Sequence, residues 1–242
     1  NEKFIYFGDL AYLPYGSKNT STIIERSIKI VEFLMNKNIK GIIVACNSAS
    51  SVALQTLRNL YDIPIIGMIN PSVSLACKTT KTKSIGLIGT QTTIRSKSYE
   101  KALSLVASGG IFTITSIACP LFVPLVEDGW MFKNREVIYE IALDYFTHLI
   151  EKNIMQENLD KIDTMILGCT HYPIIFTEIK KAFDNLGYKD LVYIDNANAI
   201  IPNIQKHFNL DAAFDGNYFT HKNISQDNKS NISSSKDMIY IT

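Results

Sequence analysis

Two cysteines occupy matching positions in the sequence, each at the end of an apolar run. Cys169 lies within "MILGCTHYP", residues 165–173, and Cys46 lies within "GIIVACNSAS", residues 41–50. Polar side chains follow both of them directly. Apolar runs of this kind are typical of strands buried on both faces of a parallel sheet, and ligands bind beyond the carboxyl ends of such strands. The matching contexts predict that the two thiols face each other across one substrate.

Each cysteine also precedes a predicted helix, whose first N–H groups and positive potential favour negative charge. We expect the backbone N–H groups of Asn47, Ser48 and Ala49 to surround one thiol. Those of Thr170 and His171 are expected to surround the other. Such groups stabilise a thiolate and can hold a carboxylate. The sequence therefore predicts two thiols of lowered pKa, each beside a binding site for a carboxylate.

Two opposed thiols can invert a stereocentre. One thiolate removes a proton from a carbon acid, and the other thiol delivers a proton to the opposite face. Preorganised donors that stabilise the charge developing on the carboxylate lower the barrier. No organic cofactor is predicted, because "GLIGTQ", residues 86–91, has too few glycines for a dinucleotide or phosphate fingerprint.

Other interpretations of the cysteines stay open. A free cysteine is often a small buried hydrophobe, and this is our interpretation of Cys77, in a predicted helix, and Cys119, before a proline. Cys169 and His171 are a second option as metal ligands, but no further ligands stand at compatible spacing, so no metal site is predicted. A Cys–His hydrolase with Cys169 as nucleophile is a third option, and it leaves Cys46 without a role.

Alternating apolar periodicities predict an α/β protein with parallel sheets. The predicted strands are residues 3–9, 42–45, 64–68, 84–89, 110–118, 164–168, 192–194 and 217–220. The predicted helices are residues 20–36, 48–60, a segment after Pro71, a segment ending near 106, and residues 135–152, 174–183 and 197–208. Strand, cysteine, helix, strand and helix occur in this order around Cys46 and again around Cys169. The repetition predicts two similar α/β domains, each contributing one thiol.

Composition excludes several classes of protein. The 242 residues are 46% hydrophobic, which suits one or two compact domains with a substantial core. With 24 Lys plus Arg against 23 Asp plus Glu, scattered along the chain, no nucleic-acid partner is expected. No apolar run approaches the roughly 20 residues that span a bilayer, and no signal peptide is visible, so no membrane association is expected. Four cysteines without C-x-x-C spacing favour a reducing, cytoplasmic setting.

Five motifs, in order along most of the chain, resemble the aspartate/glutamate racemase family, and within it the glutamate racemases. They are "PYG" (14–16), "ACNSAS" (45–50), "IGTQTTIRS" (88–96), "PLFVPLVE" (120–127) and "LGCTHYP" (167–173). The resemblance implies a cofactor-independent enzyme that interconverts L- and D-glutamate and supplies D-glutamate for bacterial peptidoglycan. It also implies a domain of residues 1–70 plus 195–242 carrying Cys46, a second domain of residues 71–194 carrying Cys169, and an active site in the cleft between them.

The resemblance further implies roles for individual residues. Cys46 and Cys169 would be the acid/base pair, with His171 and Glu127 assisting them in catalysis. The implied substrate contacts are Tyr15, Gly16, Asn47, Ser48, Thr90, Thr93, Thr170 and His171. The expected partner is a small acidic amino acid, and a homodimer is an option that the sequence does not decide.

The sequence departs from the family pattern at three places. In the family, a strand ending in Asp-Ser-Gly contacts the substrate, and here it would precede Asn1. Residues 9–12 read "DLAY" where the family has Asp, Ser or Thr, Ala and Arg, and Ser48 replaces the usual Thr. These departures keep two alternatives open: a racemase of aspartate or another acidic amino acid, and an inactive racemase-like binding protein.

Overall fold

The computed structural model describes residues 4–106, 110–155 and 160–208. Its strands are β1 (Ile42–Val44), β2 (Ile65–Gly67), β3 (Ser84–Gly89), β4 (Thr113–Ala118), β5 (Thr164–Gly168) and β6 (Val192–Asp195). Its α-helices are α1 (Thr20–Met35), α2 (Asn47–Val52), α3 (Leu54–Leu60), α4 (Ile69–Thr79), α5 (Gln91–Arg95), α6 (Ser98–Val106), α7 (Phe122–Glu127), α8 (Trp130–Lys133), α9 (Arg135–Met155), α10 (Phe176–Asn185) and α11 (Asn196–Phe208). Short 3₁₀ helices cover Leu10–Tyr12, Tyr15–Ser17 and Tyr172–Ile175.

The described strands form two parallel sheets, which confirms the predicted α/β class. One sheet pairs β1 with β2, and the other has the order β4-β3-β5-β6. Every residue of β3 and β5 is buried, as in central strands covered by helices on both faces. Within the described residues, no helix combines the length and apolar character needed to cross a bilayer.

Separate apolar cores hold the two sheets. On one face of the larger sheet, helices α9 and α10 pack together, with the rings of Phe146 and Phe183 stacked at a centroid distance of 3.9 Å. The smaller sheet packs against α1, α2 and α3. Helix α11 follows β6 of the larger sheet, yet its Ile200 packs with Ala45 and Ile66 of the smaller one. The domain boundaries given above stay a prediction.

Several predicted elements differ from the structure or lie outside it, and the helix predicted at residues 48–60 is two helices, α2 and α3. Residues 4–9 form no strand, because an apolar run becomes a strand only where a partner supplies a hydrogen-bonding ladder, and none does so within the described residues. Helix α4 begins at Ile69 rather than after Pro71, since the first turn of a helix tolerates a proline without a backbone N–H. The predicted strand at residues 217–220 lies outside the described residues.

Candidate active site

Cys46 lies between strand β1 and helix α2. The buried β-branched run of β1 ends at Val44, and Cys46 then adopts extended backbone angles as the N-cap residue of α2. Its sulfur accepts a hydrogen bond from the backbone N–H of Ala49 at 3.5 Å. The predicted surroundings of this thiol, the first N–H groups of a helix, are therefore present.

Cys169 directly follows strand β5, but no α-helix begins there. A turn leads into the 3₁₀ helix Tyr172–Ile175, and α10 begins at Phe176. The predicted helix start at residue 174 is thus two residues early, because Pro173 occupies the first turn of the 3₁₀ helix and has no N–H to donate. Tight turns replace the helix at this thiol, including a bond from the N–H of Tyr172 to the carbonyl of Cys169 at 3.3 Å.

Both thiols line a single cavity of about 20 Å³. The residues predicted for the site that line it are Tyr15, Gly16, Cys46, Asn47, Ser48, Thr90, Cys169, Thr170 and His171. The sequence analysis did not single out three further lining residues, Leu13, Pro14 and Val123, although Pro14 and Val123 lie within the quoted "PYG" and "PLFVPLVE" motifs. Thr93 and Glu127 do not line the cavity, but each contacts a residue that does, Thr93 through Thr90 and Glu127 through His171.

The pKa values of both thiols run opposite to the prediction. Burial raises the pKa of Cys46, and backbone N–H groups of Ala49 and Ser48 only partly offset it. Burial also raises the pKa of Cys169 to about 12, against smaller contributions from the N–H groups of His171 and Thr170. Desolvation of the charged form outweighs the helix terminus, so both thiols are protonated at neutral pH in this state.

His171 connects Cys169 to a carboxylate. Its Nδ1 lies 3.7 Å from Cys169 Sγ, and its Nε2 lies 2.5 Å from Glu127 Oε1. An ionised carboxylate only accepts hydrogen bonds, so Nε2 carries a hydrogen and, in the neutral ring, Nδ1 presents a lone pair to the thiol. Glu127, at the end of α7, is therefore placed to orient the imidazole and to balance a positive charge on it.

A hydroxyl network lies near Cys46. The Oγ of Ser48 and the Oγ1 of Thr90 are 2.9 Å apart, and Thr90 donates to Thr93 Oγ1 at 3.0 Å. Thr92 donates to the carbonyl of Gly16 at 3.1 Å, which fixes the "PYG" segment against α5. Ser48, which replaces the usual Thr of the family, thus keeps a hydroxyl, and this hydroxyl contacts Thr90.

Tyr15 is held by a buried ion pair. Its hydroxyl donates to Asp9 Oδ2 at 2.6 Å, and Arg26 donates two further bonds to Asp9, which is only 4% exposed. Burial raises the pKa of Asp9, but the hydrogen bonds from Arg26 and Tyr15 bring it below the usual value. The Arg26 guanidinium also stacks on Tyr12 at 3.9 Å. A cation thus contacts residues 9–12 even though position 12 is a tyrosine rather than the family's arginine.

Replacing Gly168, the residue before Cys169, tests how closely the position of this thiol depends on the packing of the backbone around it. A Cβ at Gly168 would lie 2.7 Å from the backbone carbonyl oxygen of Ile88 on β3, so β5 must shift. We expect Gly168→Ala to lower the free energy of unfolding by roughly 1–3 kcal/mol and to displace Cys169. Urea denaturation measures the first effect, and the rate of any reaction at the cavity measures the second.

Gly86→Ala on β3 is the matched control for Gly168→Ala. Its Cβ would meet the terminal methyl of Met165, and a flexible side-chain end can move aside. We expect a loss of stability below about 1 kcal/mol for this variant. Equal losses for the two variants would contradict the argument from backbone contact.

Known proteins resemble the chain along most of its described length. The family model for "Asp/Glu/Hydantoin racemase" matches residues 4–202. A glutamate racemase of Persephonella marina is 44% identical over 185 residues, which is 76% of this chain and 66% of that protein. One from Geobacter metallireducens is 41% identical over 72% of this chain and 60% of its own length. The chain therefore spans about two thirds or less of these two relatives.

Solved structures agree with this resemblance. A glutamate racemase isoform from Bacillus anthracis superposes with a TM-score of 0.74 at 32% identity, over 85% of this chain and 73% of that one. A glutamate racemase from Francisella tularensis, solved in complex with D-glutamate, gives a TM-score of 0.73 at 29% identity, over 100% of this chain and 79% of that one.

Proposed function

The chain belongs to the Asp/Glu/hydantoin racemase family, and we propose that it interconverts L- and D-glutamate by proton transfer between two thiols, without a cofactor. One observation carries the proposal: Cys46 and Cys169, which follow strands of different sheets, line the same small cavity. A thiol on each side of one bound molecule is what inversion at a single carbon requires.

The proton balance is simple. A thiolate takes the α-hydrogen as a proton, and the bonding electron pair moves onto the α-carbon and into the carboxylate. The opposite thiol then transfers its S–H proton to the other face of that carbon. Each turnover leaves the two sulfurs with exchanged protonation states, so the reverse reaction starts from the product state of the forward one.

Forming the thiolate is the difficult step, because burial disfavours it at both sulfurs. His171 and Glu127 address this at Cys169. A lone pair on Nδ1 can take the S–H proton, and the carboxylate of Glu127 stabilises the resulting imidazolium. At Cys46 the N–H of Ala49 and the polar network of Ser48 and Thr90 supply the nearby donors.

Substrate recognition would use the polar groups that line the cavity. The side chains of Tyr15, Asn47 and Thr170, with Gly16 and Ser48, are the proposed contacts. A cavity of about 20 Å³ holds little more than one water molecule, so an amino acid enters only when the site widens. Widening followed by closure would also exclude water from the reacting carbanion.

Glutamate is the preferred substrate in this proposal because the relatives described above are named for it and one binds D-glutamate. Aspartate or another acidic amino acid is the nearest alternative, since the length of the substrate side chain is set by the depth of the opened pocket. The product D-glutamate would supply peptidoglycan synthesis, as the family resemblance implies.

Deuterium exchange tests the proposal. Purified protein is incubated separately with L- and D-glutamate in D₂O, and optical rotation and α-proton NMR are followed. We expect rotation to be lost from both enantiomers, with deuterium appearing at the α-carbon. Aspartate in the same assay tests the alternative substrate. A racemase-like binding protein or a Cys–His hydrolase would leave both signals unchanged and overturn the proposal.

A further inference from the structure

A chain of buried side chains connects the segments that carry the two thiols. Ser72 on α4 donates to Asn196 at the start of α11, Asn196 donates to Asn47, and Tyr99 on α6 also donates to Asn47. We propose that Asn196 is a positioning residue that fixes the side-chain amide of Asn47 and sets the two thiol-bearing segments relative to each other. This inference rests on the proposed racemase function.

The orientation of Asn196 is determined by a backbone carbonyl. Its Nδ2 lies 2.8 Å from the carbonyl oxygen of Leu167, which can only accept a hydrogen bond. The amide therefore cannot be flipped, and its Oδ1 must accept the hydroxyl hydrogen of Ser72 at 2.5 Å. Both Ser72 and Asn196 are buried, with 0% and 3% of their surfaces exposed, so water does not compete for these bonds.

The second hydrogen of Asn196 Nδ2 then determines the orientation of Asn47. It is donated to Asn47 Oδ1 at 3.1 Å, and the hydroxyl of Tyr99 donates to the same oxygen at 2.7 Å. Both lone pairs of that oxygen are used. The remaining polar atom of the side chain, Nδ2, is buried and has no hydrogen-bond partner among the described residues.

Asn47 lines the cavity, and its unpaired Nδ2 is a hydrogen-bond donor that can bind an acceptor on a substrate. A buried amide N–H without a partner costs free energy that a substrate oxygen would recover on binding. Because Asn196 and Tyr99 both donate to the oxygen of Asn47, the amide nitrogen is the polar atom of this side chain that is left to bind a substrate carboxylate. Without Asn196, only the hydroxyl of Tyr99 contacts this end of the amide, and a hydroxyl can donate to the oxygen or accept from the nitrogen. The Asn47 amide can then turn over, and in the reversed orientation its nitrogen is no longer free to bind an anion.

The position of Asn196 also couples the two thiols. Leu167, which receives one of its hydrogens, is two residues before Cys169, and Asn47, which receives the other, directly follows Cys46. One amide thus spans the strand that ends at one thiol and the helix that begins at the other. A shift of either segment would break a bond to the same small group.

A double-mutant cycle tests the inference. The four proteins are wild type, Asn47→Ala, Asn196→Ala and the double variant, with glutamate kcat and KM measured for each. In the wild-type background we expect Asn196→Ala to raise KM about tenfold, the effect of one hydrogen bond to a charged group. In the Asn47→Ala background we expect a further change below about twofold, because the residue then has nothing to orient.

Asn153→Ala is the matched control. Asn153 on α9 is equally buried, at 3% exposure, and donates to Ser84 and Thr115 away from the cavity. It should lower the unfolding midpoint as Asn196→Ala does but leave KM unchanged. An increase in KM that is the same in both backgrounds, or no larger than that of Asn153→Ala, overturns the positioning role.

The cycle separates this inference from the proposed function. If the wild-type protein exchanges no α-hydrogen, the racemase proposal is wrong, but the inference about Asn196 can still be tested. The coupling between Asn196 and Asn47 is then measured by urea unfolding of the same four proteins. Non-additive midpoints for Asn47→Ala and Asn196→Ala support the coupling. Additive midpoints overturn it.

Discussion

Replacing either Cys46 or Cys169 by alanine is expected to lower kcat for glutamate racemisation by roughly 10³-fold, the contribution of one general acid or base. Each sulfur lines the cavity from a different segment, so neither can act on both faces of the α-carbon. The remaining thiolate can still remove and return a proton on its own face. We therefore expect each variant to exchange the α-hydrogen of one enantiomer much faster than it racemises that enantiomer, and the two variants to prefer opposite enantiomers.

Cys77→Ala is the control for this pair of variants. Cys77 is a partly buried free cysteine on α4 that does not line the cavity, so its removal should leave kcat within a factor of about two. The decisive measurement is α-proton exchange in D₂O, followed by NMR for each enantiomer separately. If Cys46→Ala keeps turnover within tenfold of wild type, the two-thiol mechanism is wrong and a mechanism based on Cys169 alone takes its place.

His171→Gln is expected to lower kcat by roughly 10²-fold, because it removes the group placed to accept the Cys169 proton. The hydrogen-bond geometry makes this a one-sided effect, since His171 contacts Cys169 and not Cys46. Glu127→Gln should cost about tenfold, as the imidazolium loses the charge that stabilises it. The double variant should be no slower than His171→Gln by more than about threefold, because the carboxylate acts through the imidazole.

His148→Gln provides the matched control for His171. His148 is an exposed histidine on α9 whose Nδ1 contacts the carbonyl of Asp144, and its loss should not change kcat. Initial rates in both directions, with protonated and α-deuterated glutamate, show whether proton transfer at Cys169 has become slower. Independent, multiplicative effects of Glu127→Gln and His171→Gln would contradict the arrangement in which one orients the other.

Much of the fold could be predicted from local pattern. Strands β3 and β5 have the predicted bounds, 84–89 and 164–168. Both strands are buried on both faces, so the continuous apolar run in the sequence coincides with the strand. Residues 4–9 have a similar apolar character and form no strand, since pairing depends on a partner elsewhere in the chain. Helix α7, which the sequence analysis did not predict, includes Pro124 and depends on the packing of Phe122 against Tyr172 and Phe146.

By itself, the sequence predicted which side chains meet at the cavity, because a thiol followed by polar groups at the end of a buried strand is a local signal. Tertiary structure alone decided how those side chains behave. It reversed the expected direction of the thiol pKa values, since burial is a property of everything packed around a group. It also brought Ser72 and Asn196 to Asn47, although 124 residues separate the first two and 149 the last two. Neither residue has a neighbouring pattern that marks it, because its hydrogen-bond partners are set by how distant segments meet.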